Sequence, residues 1–188
     1  MLQEQRDVID RAVEALRACG TQVVNVAPVS FETSSQLFFH LLNAATSPSM
    51  MYGEGIDVSG SHLDWLRAQA DRADLIAQWS AWFETFDILI CPVMPTAAFK
   101  HDTGRGFLDR RFDIDGVARP HTDGVAWTGL IGVAHLPSTV APIGQTASGM
   151  PVGVQVVGAH YRDRETIRVA GDLAALCGDG YVTPPLMA

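Results

Sequence analysis

Several residue sets in this chain have types that could do chemistry, and their spacing narrows the choice. The six histidines, His40, His62, His101, His121, His135 and His160, stand in neither H-x-x-x-H nor H-x-H spacing. A composite site from His101, Asp102, Asp113, Asp115 and His121 has donors that suit zinc or magnesium. Solvated loops carry the same residue types, and no metal site is assigned. Asp113, Asp115 and Gly116 begin like a calcium loop but lack the spacing and distal Glu of an EF-hand. A serine nucleophile of the hydrolase-elbow kind needs G-x-S-x-G, which does not occur. Ser34 and Ser35 are the only adjacent serines; without flanking glycine and at a helix start, they are expected to cap. Cys91 could act as a thiol beside a histidine, yet inside Leu-Ile-Cys-Pro it reads as core. Phosphate loops are absent, and the glycine-rich residues 149–153 include Pro151, which has no N–H to offer an anion. No cofactor is expected.

The elements that would position these residues follow from periodicity and punctuation. Val8, Ile9, Ala12, Val13 and Leu16 share one helical face, and Gly20 stands where a helix commonly stops. Residues 21–26 are β-prone and predict a strand ending at Pro28. Thr33 and Gln36 have capping-box spacing ahead of Leu37, Phe38, Leu41 and Leu42, predicting a helix that ends before Pro48. Residues 50–60 read as loop. Ser61 then caps a long helix with Leu66, Ala70, Ala73, Ile76, Trp79 and Phe83 facing the core. The apolar run after Asp87, closed by Pro92, is the pattern of a buried strand. Residues 92–123, with Pro95, Gly104, Gly106, Gly116 and Pro120, predict a long irregular loop of the kind that often forms sites. Residues 138–141 and 152–157 are two strands joined by a turn-rich loop. A last helix starts near Asp163 and stops at Gly178, and the tail cannot continue it.

Composition sets the class. Of the 188 residues, 47% are hydrophobic and 18% charged, which predicts one globular domain with a sizeable core. The net charge of −8 opposes nucleic acid and anionic membranes as partners. Cys19, Cys91 and Cys177 have no metal spacing and are expected to be buried and reduced. The charged first residues and the lack of a long apolar run lead to a cytoplasmic expectation. Four strand candidates among helices predict an α/β fold, a mixed β-sheet layered with helices.

Residues 136–158, LPSTVAPIGQTASGMPVGVQVVG, resemble the C-terminal strand pair of the amidase-signature hydrolases: Leu-Pro, a β run, Pro-x-Gly, then Gly-(Leu/Met)-Pro-Val-Gly-Val-Gln. Trp82, Phe83 and the run from Phe86 to Pro92 with Pro95 resemble that family's strand entry. Residues 111–116, then Trp127 and the Leu-Pro at Leu136, are similar to its shorter branch, and Asp163 with Arg164 matches before the final helix. The resemblance is closest over residues 75–176 and agrees in pattern only over residues 6–50. Where many relatives carry Asn and Gly before that Leu-Pro, this chain has Gly132 and His135, so no asparagine contact carries over.

The resemblance implies hydrolysis of amides by a Lys–Ser–Ser triad, with backbone N–H groups forming an oxyanion hole. It also implies that the triad lies in a Gly/Ser-rich stretch on the N-terminal side of a complete enzyme. Here Lys100 is the only lysine and no Gly-Gly-Ser-Ser-Gly occurs. The expectation is therefore one domain, residues 1–188, corresponding to the C-terminal part of an amidase. It has no catalytic residue of its own, completes the sheet, and walls the pocket with Trp127, Pro92 and Pro95. The implied partner is the triad-bearing part, with a small amide as substrate only in the complete enzyme. The alternative is a non-catalytic module that kept the fold and self-associates or binds a partner through an exposed sheet edge.

Overall fold

A computed structural model describes residues 1–46 and 60–178. The first helix, α1 (Gln3–Ala18), buries Val8 and Ala12. It closes at Gly20, whose φ of +86° suits glycine and whose N–H reaches the Arg17 carbonyl at 2.9 Å. Its start has no local side-chain cap. Instead the Leu2 N–H donates to the Pro95 carbonyl at 2.7 Å, and the Gln3 N–H donates to the Asp115 carboxylate at 3.1 and 3.2 Å. A carboxylate from far along the chain thus satisfies a donor that the helix leaves orphaned.

Residues 21–26 form no strand, and Val24 and Val26 are exposed. β-prone side chains make a strand only where a neighbour supplies the ladder, and among the described residues nothing pairs with this segment. The second helix, α2 (Phe31–Ala45), begins one turn earlier than Thr33 suggests. Ser30 is the cap, its hydroxyl oxygen accepting the Thr33 N–H at 3.3 Å. Residues 50–60, read as loop, lie almost wholly outside the described residues. Ser61 does cap α3 (His62–Trp82), in a capping box with Asp64. The Ser61 hydroxyl and backbone N–H both donate to the Asp64 carboxylate and hold its pKa below the ordinary value.

Strand β1 (Leu89–Pro92) follows, as the apolar run before Pro92 requires. The stretch expected to be irregular carries a hairpin instead: β2 (Arg111–Ile114) and β3 (Val117–Pro120), joined by Asp115 at φ +52° and Gly116 at φ +82°. Two left-handed residues in succession make the tight turn whose twist matches paired strands, and Asp-Gly is its common sequence. A short helix α4 (Ala126–Gly132) leads to β4 (Ser138–Gln145), β5 (Pro151–Val157) and α5 (Asp163–Leu176).

The three-stranded sheet has the order β1-β5-β4. The expected layering of helices on a sheet is observed, while both described pairings in that sheet are antiparallel. On one face Ala141, Ile143, Val152, Val154 and Val156 pack against Val8 and Ala12 of α1 and Ala170 and Leu173 of α5. Cys91 and Val157 join the other cluster, with Leu41 of α2, Leu75 and Trp79 of α3, and Leu130 and Ile131 of α4. Gln155 is buried and spans all three strands. Its Nε2 donates to the Pro92 carbonyl at 2.8 Å, and its Oε1 accepts the Ser138 hydroxyl at 3.2 Å. A buried amide with both ends bonded avoids the desolvation penalty and locks the strand register. Helices α2 and α4 approach closely because Gly129 has no side chain: a Cβ there would lie 2.5 Å from the Phe38 ring.

Candidate functional site

The three residues expected to wall a pocket are held by packing and backbone hydrogen bonds. Trp127, half-buried in the first turn of α4, has its ring 5.0 Å from Phe31 and packs on the core cluster around Leu130. Pro92 and Pro95 are buried, and their carbonyls accept from Gln155 and Leu2 respectively. They therefore fix the 92–96 turn between the sheet and the start of α1. Neither the cleft around Lys100 nor the one between α2 and α3 is lined by Trp127, Pro92 or Pro95.

The other residues weighed for chemistry are dispersed. The buried Ser34 hydroxyl donates back to the Ser30 carbonyl at 2.8 Å, so it braces the first turn of α2 rather than capping it. Cys91 faces the Gln155 amide at 3.6 Å, and burial pushes its thiol up to about 12, the amide N–H pulling weakly the other way. A thiol so protonated is no nucleophile at neutral pH. The cysteines are not uniformly buried: Cys19 is exposed and Cys177 half-buried, because both sit at helix ends where the chain leaves the core.

The carboxylates weighed as metal ligands have structural partners. Asp113 accepts the Gly116 N–H at 3.0 Å within the hairpin turn, Asp115 caps α1, and Asp102 pairs with Arg105 at 3.8 Å. Among the described residues no three His, Cys, Asp or Glu side chains come close enough to hold a metal. Nor is any described helix long and apolar enough to cross a membrane.

Two clefts bring polar groups together. One, of about 450 Å³, opens between residues 96–103 and the β2–β3 hairpin. Phe99, Phe112 and His121 form its aromatic side, with ring centroids 4.7 Å apart for Phe99–Phe112 and 4.6 Å for Phe112–His121. Lys100, Arg110 and Arg111 line it together with Asp102 and Asp113. The other, of about 640 Å³, lies between α2 and α3 and holds Ser30, Ser34 and His40 opposite Asp64, Asp71 and Asp74. No serine lines the cleft of Lys100, and no lysine lines the cleft of the serines. Among the described residues, Lys100 and the pair Ser30 and Ser34 thus lie in different clefts.

Two features were missed in the sequence. The hairpin is announced by Asp-Gly between the alternating Phe112, Ile114 and Val117, a pattern that also resembles a broken calcium loop and the shorter amidase branch. Gln155 stands at the end of the Gly-Met-Pro-Val-Gly-Val-Gln motif, but nothing in its neighbours announced that its side chain bridges the three strands.

Comparison with known proteins places the chain. The family model described as Amidase matches residues 50–167, more than half of the chain. A glutamyl-tRNA(Gln) amidotransferase polypeptide of Rhodospirillum rubrum is 34% identical over 107 residues, covering 57% of this chain and 19% of that protein. An acylamidase of Rhodococcus erythropolis is 28% identical over 122 residues, covering 65% of this chain and 23% of that one. Among solved structures, an amidase overlays with a TM-score of 0.77 at 22% identity, covering 95% of this chain and 43% of the other. A chain from a vestigial protein complex, described as revealing the evolutionary origins of an s-triazine catabolic enzyme, overlays at 0.72 and 23% identity, covering 98% and 42%. The matches thus span about a fifth of the curated relatives and about two fifths of the solved chains. With this family match and the amidase fold in its helices and sheet, the chain belongs to the amidase family.

Proposed function

We propose that this chain is the C-terminal part of an amide hydrolase, completing the sheet and walling the pocket of an enzyme that converts an amide and water to a carboxylate and ammonia or an amine. By itself it hydrolyses no amide. The separation of Lys100 from Ser30 and Ser34 among the described residues carries this reading. A lysine that activates a serine must lie within hydrogen-bond reach of it or of a bridging serine, and Lys100 makes no such bond among the described residues. The fit to about two fifths of solved amidase-family chains supports a triad supplied from outside these residues. The three free cysteines fit a reducing, cytoplasmic setting.

The purified chain is expected to release no ammonia from a simple amide and to show no serine labelled by a fluorophosphonate. Turnover together with one labelled serine refutes the reading. Joined to the triad-bearing part of a relative, it is expected to restore hydrolysis, and Trp127→Ala then raises KM more than it lowers Tm. The reverse pattern makes Trp127 a core residue.

A second reading is favoured by exposed apolar side chains: Val24 and Val26 on the α1–α2 connection, and Leu63 and Leu66 on α3. These suit a partner-binding or self-associating module. A clean monomer in sedimentation at micromolar concentration counts against it.

A further inference from the structure

We propose that the cleft around Lys100 binds a planar aromatic carboxylate, with the ring against Phe99, Phe112 and His121 and the carboxylate on Lys100 and the adjacent arginines. Its connection to amide hydrolysis, where a carboxylate is the product, rests on the proposed amidase function; the binding rests on the cleft alone.

The aromatic side is built and partly open. Phe112 is buried, 4% exposed, and anchors the others, while Phe99 is 48% and Phe107 45% exposed with ring surface facing solvent. His121 sits among all three, its centroid 4.6 Å from Phe112, 5.8 Å from Phe99 and 5.2 Å from Phe107. Exposed aromatic rings held in fixed mutual geometry favour offset or edge contact with a further ring. The volume, about 450 Å³, is in the range of small-molecule sites.

The charge points to an anion. In a chain of net charge −8, the sole lysine and two adjacent arginines converge here. The opposing carboxylates are engaged, Asp113 by the Gly116 N–H and Asp102 beside Arg105. Lys100 has no hydrogen bond or ion pair among the described residues. Arg111 is steered by one nitrogen, which donates to the Leu108 and Arg110 carbonyls at 2.8 and 2.9 Å, leaving the other side of its fork free. Inorganic phosphate would satisfy the cations but not the rings, and a neutral aromatic amide the reverse.

The test titrates benzoate, benzamide, cyclohexanecarboxylate and inorganic phosphate into the purified chain. It follows the ring-proton resonance of His121, assigned with His121→Gln. Benzoate is expected to shift that resonance saturably, with the other three binding roughly tenfold weaker or less. Lys100→Met is expected to weaken benzoate roughly tenfold and Lys100→Arg to retain it, with His62 and His160 resonances unmoved as the check on folding. No saturable shift, equal affinity for benzoate and any of the other three, or an unchanged affinity in Lys100→Met overturns the proposal. Restored amide hydrolysis without benzoate binding refutes this inference alone, and benzoate binding without restored hydrolysis refutes the amidase reading alone.

Discussion

Replacing Gly129 by alanine tests how α4 is seated, and with it the position of Trp127. A Cβ at this position would meet three Phe38 ring carbons at 2.5 to 2.7 Å. Carbon atoms settle at about 3.5–4.0 Å, so α4 must move away from α2 by about 1 Å or the Phe38 ring must turn out of its rotamer. The ring has little room, because Phe39 lies 5.1 Å away on the same helix. Overpacking of this kind costs about 1–3 kcal/mol, and the better helix propensity of alanine returns up to about 1 kcal/mol. The net expectation is a loss of about 1–2 kcal/mol, or about 2–8 °C in Tm for a chain of this length. Urea unfolding followed by far-UV circular dichroism and tryptophan emission measures it. The decisive comparison is the Phe38→Leu background, where the clash is gone and Gly129→Ala becomes neutral or stabilising, a coupling of about 2 kcal/mol. A Gly129→Ala protein as stable as its parent, or an equal loss in both backgrounds, refutes the close-approach argument.

Cysteine chemistry should divide the three thiols by burial: iodoacetamide on the native chain is expected to alkylate Cys19 first and leave Cys91 untouched until the chain unfolds. Because burial raises the Cys91 pKa from 9.0 to about 12, the unfolded chain loses that proton first as pH rises. The contribution to stability is complete below pH 9 and falls from there toward pH 12, by up to about 1.4 kcal/mol per pH unit. Cys91→Ala should flatten that alkaline loss, and an unaltered pH profile would remove Cys91 as its source. His135, in the turn after α4, is in the left-handed region at φ +57°, with its N–H on the Gly132 carbonyl. Relief of a left-handed side chain, about 1 kcal/mol, outweighs the added unfolded-state entropy of glycine, so His135→Gly should raise Tm by about 1–3 °C. A lower Tm in thermal melts would contradict the strain.

Much of the architecture was legible because its signals are local. The Ser61–Asp64 capping box, the stop at Gly20, the run ending at Pro92 and the paired strands after Leu136 each depend on residues within a few positions of one another. Where a local rule failed, a distant partner decided the outcome. Residues 21–26 have strand-forming side chains but no ladder, and Ser30 displaced Thr33 as a cap because the chain enters α2 one turn sooner. The candidate site was less legible: of the residues weighed for it, Trp127, Pro92 and Pro95 are packed in the scaffold, while the cleft around Lys100 joins residues 96–103 to Arg111, Phe112 and Asp113 of a hairpin in the stretch expected to be irregular.

By itself, then, the sequence determined the residue inventory: one lysine, a serine pair without glycine, helices and strands in order, and the amidase resemblance of residues 136–158. Only the tertiary structure decided that Asp115 caps α1 across 112 positions, that Gln155 ties β1 to β4, and that Lys100 opens into one cleft and Ser30 and Ser34 into another. Helix starts and turns are set by short-range sterics and hydrogen bonds written in neighbouring residues. Which side chains share a cleft is set by how buried faces pack, and that depends on the whole chain at once.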